Sequence, residues 1–144
     1  MKKLVIIGGG FAGLQLAKNI SQSEIEITII DRLNHHQFQP LFYQVATSRI
    51  EPSSISFPFR KIFQKTKNVQ IRMADVFEID TQNRRLSTGI GEIEYDILVI
   101  ATGCKTNFFG NKEIELNAWP LKTTFESINV RNKILLNFED VFNQ

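Results

Sequence analysis

Cysteine occurs once in this 144-residue chain, as Cys104. That excludes a disulfide within the chain, a zinc site of the multi-cysteine type and a redox-active Cys-x-x-Cys pair. It also fits a reducing, cytoplasmic setting. Histidine is almost as scarce, with only His35 and His36. Further ligands for a metal would have to be carboxylates or Cys104, so packing within a loop is the expected role of the pair. No charge predominates: 17 Lys and Arg stand against 15 Asp and Glu, and a net +2 is too small to argue for nucleic acid or an anionic membrane surface. No apolar run approaches the roughly 20 residues of a membrane span. Lys2-Lys3 ahead of Leu4-Val5-Ile6-Ile7 imitates the start of a signal peptide, but glycines break the run at once, so a buried strand is the reading. A Gly-x-Ser-x-Gly turn, which a serine hydrolase would need, is missing. So are internal repeats and low-complexity tracts.

Composition is otherwise ordinary, with 42% apolar and 22% charged residues, and the length suffices for one domain with a core. The patterning is informative. Leu4 to Ile7 are four branched aliphatics in a row, a strand with no polar face. Gly8, Gly10 and Gly13 then fit G-x-G-x-x-G: the first for a tight turn, the second for close approach of backbone to a pyrophosphate, the third for helix-to-sheet packing. A helix from Phe11 to about Ile20 would aim its N-terminal N–H groups, those around Phe11 and Ala12, at the phosphates. Residues 24–30 alternate like a second strand, and Asp31 follows, 18 residues beyond Gly13. That is the spacing of the acid that accepts from both ribose hydroxyls and repels a 2′-phosphate, which argues against NADP. A glycine turn of purely structural use is the competing reading. Strand, glycines, helix, second strand and acid together favour an adenine dinucleotide.

Further along, residues 32–40 read as a loop, 41–47 as a short buried helix begun by Pro40, and 58–65 as another. In the latter Phe59, Ile62 and Phe63 share a core face, while Arg60, Lys61 and Lys65 lie in solvent. Residues 68–73 form a third strand. A hairpin about residues 81–84 and a turn at 89–91 predict an antiparallel meander. Residues 95–101 make the second fully apolar, buried strand, leaving through Ala101-Thr102-Gly103, where a cofactor would meet small residues at a strand's carboxyl end. Cys104 beside it is expected to be a small buried residue rather than a redox thiol. Residues 124–142 predict an amphipathic helix with Phe125, Ile128, Leu135, Phe138 and Phe142 on one side.

Combined with Tyr95-Asp96-Ile97-Leu98-Val99-Ile100-Ala101-Thr102-Gly103, these features resemble the two-dinucleotide-domain flavoproteins, the pyridine nucleotide-disulfide oxidoreductase superfamily. More specifically, His35-His36-Gln37-Phe38-Gln39-Pro40-Leu41-Phe42-Tyr43-Gln44-Val45-Ala46-Thr47, the stretch from Ile55 to Phe63 and Ala101 to Gly110 resemble type II NADH dehydrogenase. The resemblance implies an α/β, Rossmann-like FAD/NAD(P)-binding domain: a parallel sheet with helices and an antiparallel meander insert, incomplete at the C-terminus. It implies FAD, with Gly8, Gly10, Phe11, Ala12 and Gly13 on the pyrophosphate and Asp31 on the ribose. Arg32 would flank the adenosine and the Val76 backbone would meet the adenine, with Thr47, Ala101, Thr102 and Gly103 toward the flavin. Many members continue with glycine after Val45-Ala46-Thr47, where this chain has Ser48-Arg49.

The activity so implied is transfer of a hydride from NADH to FAD and of two electrons onward to a quinone, without proton pumping. Members are much longer, with a second G-x-G-x-x-G domain for NADH, a return to the FAD domain and a membrane-docking segment. Residues 1–144 are therefore expected to be a partial FAD-binding domain, inactive alone, which binds FAD weakly and exposes an unpaired sheet edge. The longer protein would sit peripherally on the inner face of the cell membrane, meet NADH and quinone there, and could form a homodimer. Nucleic acid is not an expected partner. A sulfide:quinone oxidoreductase is the alternative within the class, with a single cysteine against it. A catalytically silent nucleotide-binding module is the alternative outside it, should 144 residues be the natural length.

Overall fold

The computed structural model describes residues 1–143. The chain forms two compact units, Met1–His36 with Phe57–Gly103, and Gln37–Ser56 with the chain from Cys104 on. In the first unit β1 (Lys2–Ile7), α1 (Phe11–Ile20) and β2 (Ile25–Asp31) follow one another as the periodicity predicts. The chain leaves this unit through β3 (His35–Gln37) and comes back through β4 (Ser56–Pro58), two short strands that pair with each other. Neither was legible in the sequence, which reads there as loop and helix start.

The second unit begins with a 3-10 turn at Gln39–Leu41, α2 (Phe42–Ala46) and another 3-10 turn at Pro52–Ile55. Back in the first unit, α3 (Phe59–Ile62) is shorter than expected. It is followed by β5 (Val69–Met73), the meander β6 (Val76–Asp80), β7 (Arg85–Thr88) and β8 (Gly91–Glu94), and β9 (Ile97–Ile100). The second unit then resumes with α4 (Lys112–Asn117) and α5 (Thr124–Phe142).

The main sheet is wholly parallel, in the order β5-β2-β1-β9. Its alternation sorts the aliphatics into two layers. Leu4, Ile6, Ile27 and Ile29 face Leu14 and Ala17 of α1 together with Phe59 and Phe63. Val5, Ile7 and Ile30 face Leu86 and Tyr95 of the meander. Helices cover one side of the sheet and the antiparallel insert covers the other. Asp80 closes the hairpin, its carboxylate accepting from the N–H groups of Gln82 and Asn83 and from the Asn83 amide. These bonds, those from Asn83 foremost, hold its carboxyl below the usual range.

Two expectations need correction. β9 was read as buried on both faces, but among the described strands it pairs with β1 alone, and Ile97 and Ile100 are 42% and 64% exposed. A fully apolar strand records what could be covered, not whether anything covers it here. Cys104 is exposed rather than buried, because the chain beyond Gly103 runs irregularly and buries nothing around it.

In the second unit Phe42, Val45 and Ile55 form a small core joined by Ile128 of α5. A capping box starts α5: the Thr123 hydroxyl accepts from the Glu126 N–H at 3.1 Å, and the Glu126 carboxylate accepts from the Thr123 N–H at 3.0 Å. Of the apolar face expected on this helix only Ile128 is partly buried, for Phe125 and residues 132–142 are all exposed. Ser48 turns the chain after α2 with φ of +59°. Its N–H donates to Val45 and that of Arg49 to Gln44, the pair of bonds in which glycine usually holds the left-handed position. Ser48→Gly is therefore expected to stabilise the chain by about 1 kcal/mol, a rise of several degrees in Tm in a thermal melt. No rise would show that the side chain relieves its own strain.

Candidate functional site

The glycine loop lies between the end of β1 and the start of α1, on the carboxyl edge of the sheet. There the strand order turns: β2 and β5 lie to one side of β1, and β9 to the other. Open parallel sheets bind ligands at such a point. The loop's residues meet different demands. Gly8 has φ of +103°, which L side chains avoid, and a Cβ there would lie 2.3 Å from the Ala101 carbonyl oxygen. A Cβ on Gly13 would lie 2.0 Å from the Gly8 carbonyl oxygen. Gly10 differs, since a Cβ there would meet nothing within 4 Å. Gly8 and Gly13 are glycines because of their neighbours in the chain, whereas the space beside Gly10 is open.

Gly10 also starts α1 without a side-chain cap, and no acidic residue stands in the first turn. The N–H groups of Gly10, Ala12 and Gly13, in the first turn of the helix, have no acceptor within the helix. A positive helix end without an acid in its first turn suits an anion.

Asp31, the last residue of β2, is held by backbone. Its Oδ2 accepts from the Gly9 N–H at 2.6 Å and its Oδ1 from the Leu33 N–H at 2.8 Å. Each oxygen retains lone-pair capacity, so a vicinal diol can still donate to both. The Ala74 N–H donates to the Asp31 carbonyl at 3.0 Å, which draws the start of the meander beside the acid. The result is an open cavity of about 270 Å³ lined by Gly8, Asp31, Arg32, Ala74, Val76 and Thr102, among others. That volume lies below the usual range for a whole drug-sized ligand. It suits one end of a dinucleotide whose remainder passes along the glycine loop.

Of the residues singled out in the sequence, Gly8, Asp31, Arg32, Val76 and Thr102 thus share one cavity. Gly10, Phe11, Ala12 and Gly13 form the adjoining helix start, and Ala101 touches Gly8. Gly103 turns the chain beyond β9 with φ of +69°. Thr47 belongs to the second unit, at the end of α2, where its hydroxyl donates to the Tyr43 carbonyl at 2.8 Å.

Three contributors escaped the sequence reading. Gly9 occupies an unspecified motif position, yet a Cβ there would lie 2.1 Å from the Phe59 ring. His36, only 5% exposed, reaches the Gly9 carbonyl, so the packing role expected of the histidine pair falls to it. The run of three glycines and the pair of histidines were the available signals. Nothing local says that they meet.

A parallel sheet, a glycine turn into a helix and an acid ending the next strand define a dinucleotide-binding domain. A family model described as pyridine nucleotide-disulphide oxidoreductase matches residues 2–136, and the chain belongs to that family. The type II NADH:quinone oxidoreductase Ndh of Mycobacterium tuberculosis is 37% identical over 141 residues, 95% of this chain and 30% of that protein. The external alternative NAD(P)H-ubiquinone oxidoreductase B2 of Arabidopsis thaliana mitochondria is 32% identical, over 96% of this chain and 26% of its own length. The chain thus spans about a quarter to a third of these curated relatives. Among solved structures, the sulfide:quinone oxidoreductase of Aquifex aeolicus superposes with a TM-score of 0.86 at 29% identity, covering 96% of this chain and 33% of that one. NDH2 from Plasmodium falciparum, solved with NADH, gives 0.89 over 98% of this chain and 30% of its own, at 20% identity, a likeness of fold.

Proposed function

We propose that residues 1–144 form the FAD-binding part of a type II NADH:quinone oxidoreductase. The observation that carries the reading is the Asp31 carboxylate, fixed by two backbone N–H groups beside an open Gly10 and an uncapped helix start. In this reading Asp31 accepts from the adenosine ribose, Arg32 flanks the adenosine and the Val76 backbone meets the adenine. The N–H groups of Gly10, Ala12 and Gly13 hold the pyrophosphate. Thr102 and Gly103 approach the flavin side. Bound FAD supplies the hydride and electron chemistry, and the chain supplies position and electrostatics. No acid–base residue is assigned within it.

NADH as donor and a quinone as acceptor rest on the names of relatives that are much longer than this chain. Peripheral attachment to the inner face of the cell membrane and a homodimer rest on the resemblance of the sequence to type II NADH dehydrogenase alone. Among the described residues no helix is long and apolar enough to cross a membrane. A sulfide:quinone oxidoreductase is the second reading, favoured by the 29% identity to the Aquifex aeolicus enzyme.

The test is an absorption spectrum of the purified chain after FAD is added and the excess removed by gel filtration. Weakly retained flavin bands are expected, with no turnover of NADH and a soluble quinone by this chain alone. A folded, colourless protein even at high FAD concentration would contradict the reading. A protein of the relatives' length carrying this segment should reduce quinone with NADH; reduction with sulfide instead would favour the second reading.

A further inference from the structure

Three side chains converge on Gly9, the residue that the dinucleotide pattern leaves unspecified. Its N–H donates to Asp31 Oδ2 at 2.6 Å, its carbonyl lies 3.0 Å from His36 Nδ1, and the buried Phe59 ring fills the space of a side chain. A carbonyl oxygen has no proton to give, so His36 Nδ1 must be the donor. The Phe11 ring meets the imidazole edge-on, with centroids 4.9 Å apart at 84°, and restrains its plane. The two peptide units that flank Gly9 are therefore held separately, the one before it by Asp31 and the one after it by His36.

The second unit has a consequence for binding. A trans peptide is planar, with its C=O and N–H on opposite sides. Holding the Gly9 carbonyl toward His36 turns the Gly10 N–H the other way. We infer that His36 is a positioning residue for the phosphates of a bound dinucleotide, acting through the Gly9 carbonyl to orient the N–H of Gly10. The inference rests on the proposed dinucleotide site and adds to it a residue outside the glycine motif. His36 touches no phosphate; its effect passes through one peptide plane.

The test compares His36→Leu, which removes the donor, with His36→Asn, whose amide nitrogen can stand near the position of Nδ1 and restore it. Two readouts are taken on the 144-residue chain: FAD affinity by flavin fluorescence, and, without ligand, the backbone order of the Gly10 amide by ¹⁵N NMR relaxation, with amide hydrogen exchange of the core strands as the control for folding. In H36L the dissociation constant for FAD should rise about tenfold for one lost hydrogen bond, and the order parameter of the Gly10 amide should fall from a rigid value of about 0.85 to below about 0.6. Amides of Ile6 and Ile29 in the core strands should keep their protection. H36N should stay within about threefold of the parent in affinity and keep the Gly10 amide ordered, since the donor is restored. Parent-like affinity and Gly10 order in H36L would overturn the inference, as would an H36N variant as impaired as H36L. If H36L loses its core protection, H36N decides alone. A parent chain that binds no FAD would defeat the functional reading but not this one, which then stands or falls on the order of the Gly10 amide.

Discussion

Gly10→Ala should leave the chain folded and strip it of flavin, while Gly8→Ala should unfold it. At Gly10 the backbone is extended, with φ of −66°, and a Cβ meets nothing within 4 Å. Alanine there should change stability by less than about 1 kcal/mol, and in the favourable direction through the unfolded chain. The same methyl group would stand where a phosphate must approach the helix start. A loss of affinity for FAD of about a hundredfold or more is expected, since a clash with an anion on oriented N–H groups removes both contact and charge stabilisation. At Gly8 the position is reversed. φ of +103° and a backbone oxygen 2.3 Å from the added carbon should destabilise the chain by about 3 kcal/mol or more, with no side chain able to give way. Urea unfolding beside a FAD titration separates the two. Equal losses of stability in both variants would mean that Gly10 serves the fold and not a ligand.

The second large effect is expected at Asp31. Its two oxygens already anchor Gly9 and Leu33, so the ribose must use their remaining lone pairs. Asp31→Asn offers one acceptor oxygen where there were two, and it is neutral. Affinity for FAD and for ADP should fall by about thirtyfold or more, given some 2 kcal/mol for charge-assisted bonds. A sharper sign lies in the sugar. The parent chain should prefer ADP to 2′-deoxy-ADP, and D31N should lose much of that preference. If D31N discriminates between the two as the parent does, the carboxylate does not hold the ribose and the site is placed wrongly.

The sequence was informative where structure is decided locally. β1, α1 and β2 follow from the run Leu4 to Ile7, the glycine spacing and the alternation up to Asp31. The meander follows from the hairpin turn beside Asp80. The cavity residues were legible for the same reason, because a G-x-G-x-x-G loop and an acid at the next strand's end are brought together by one β-α-β crossover. What stayed hidden depends on partners distant in the chain. β3 and β4 are three residues each and exist only because they pair with one another. The exposure of Ile97 and Ile100 reflects the lack of a described neighbour beyond β9, which an apolar strand cannot reveal. The hold of His36 and Phe59 on Gly9 spans 27 and 50 residues of chain, and no periodicity encodes it. α4 rests on a local cap, Asn111 accepting from the Ile114 N–H at 3.1 Å. That signal was present in the sequence, but six residues are too few to show a helical period beside it.

The assignment of the dinucleotide site is tested most directly by an amide NMR spectrum of the ¹⁵N-labelled chain, recorded as FAD is added. Shifts should concentrate at Gly8, Gly9, Gly10 and Ala12, at Asp31 to Leu33, and at Ala74 to Val76. The outer strands of the meander should stay still. Saturating FAD that leaves the glycine loop and Asp31 unmoved, or that moves only the second unit, would contradict a dinucleotide site at the end of β1.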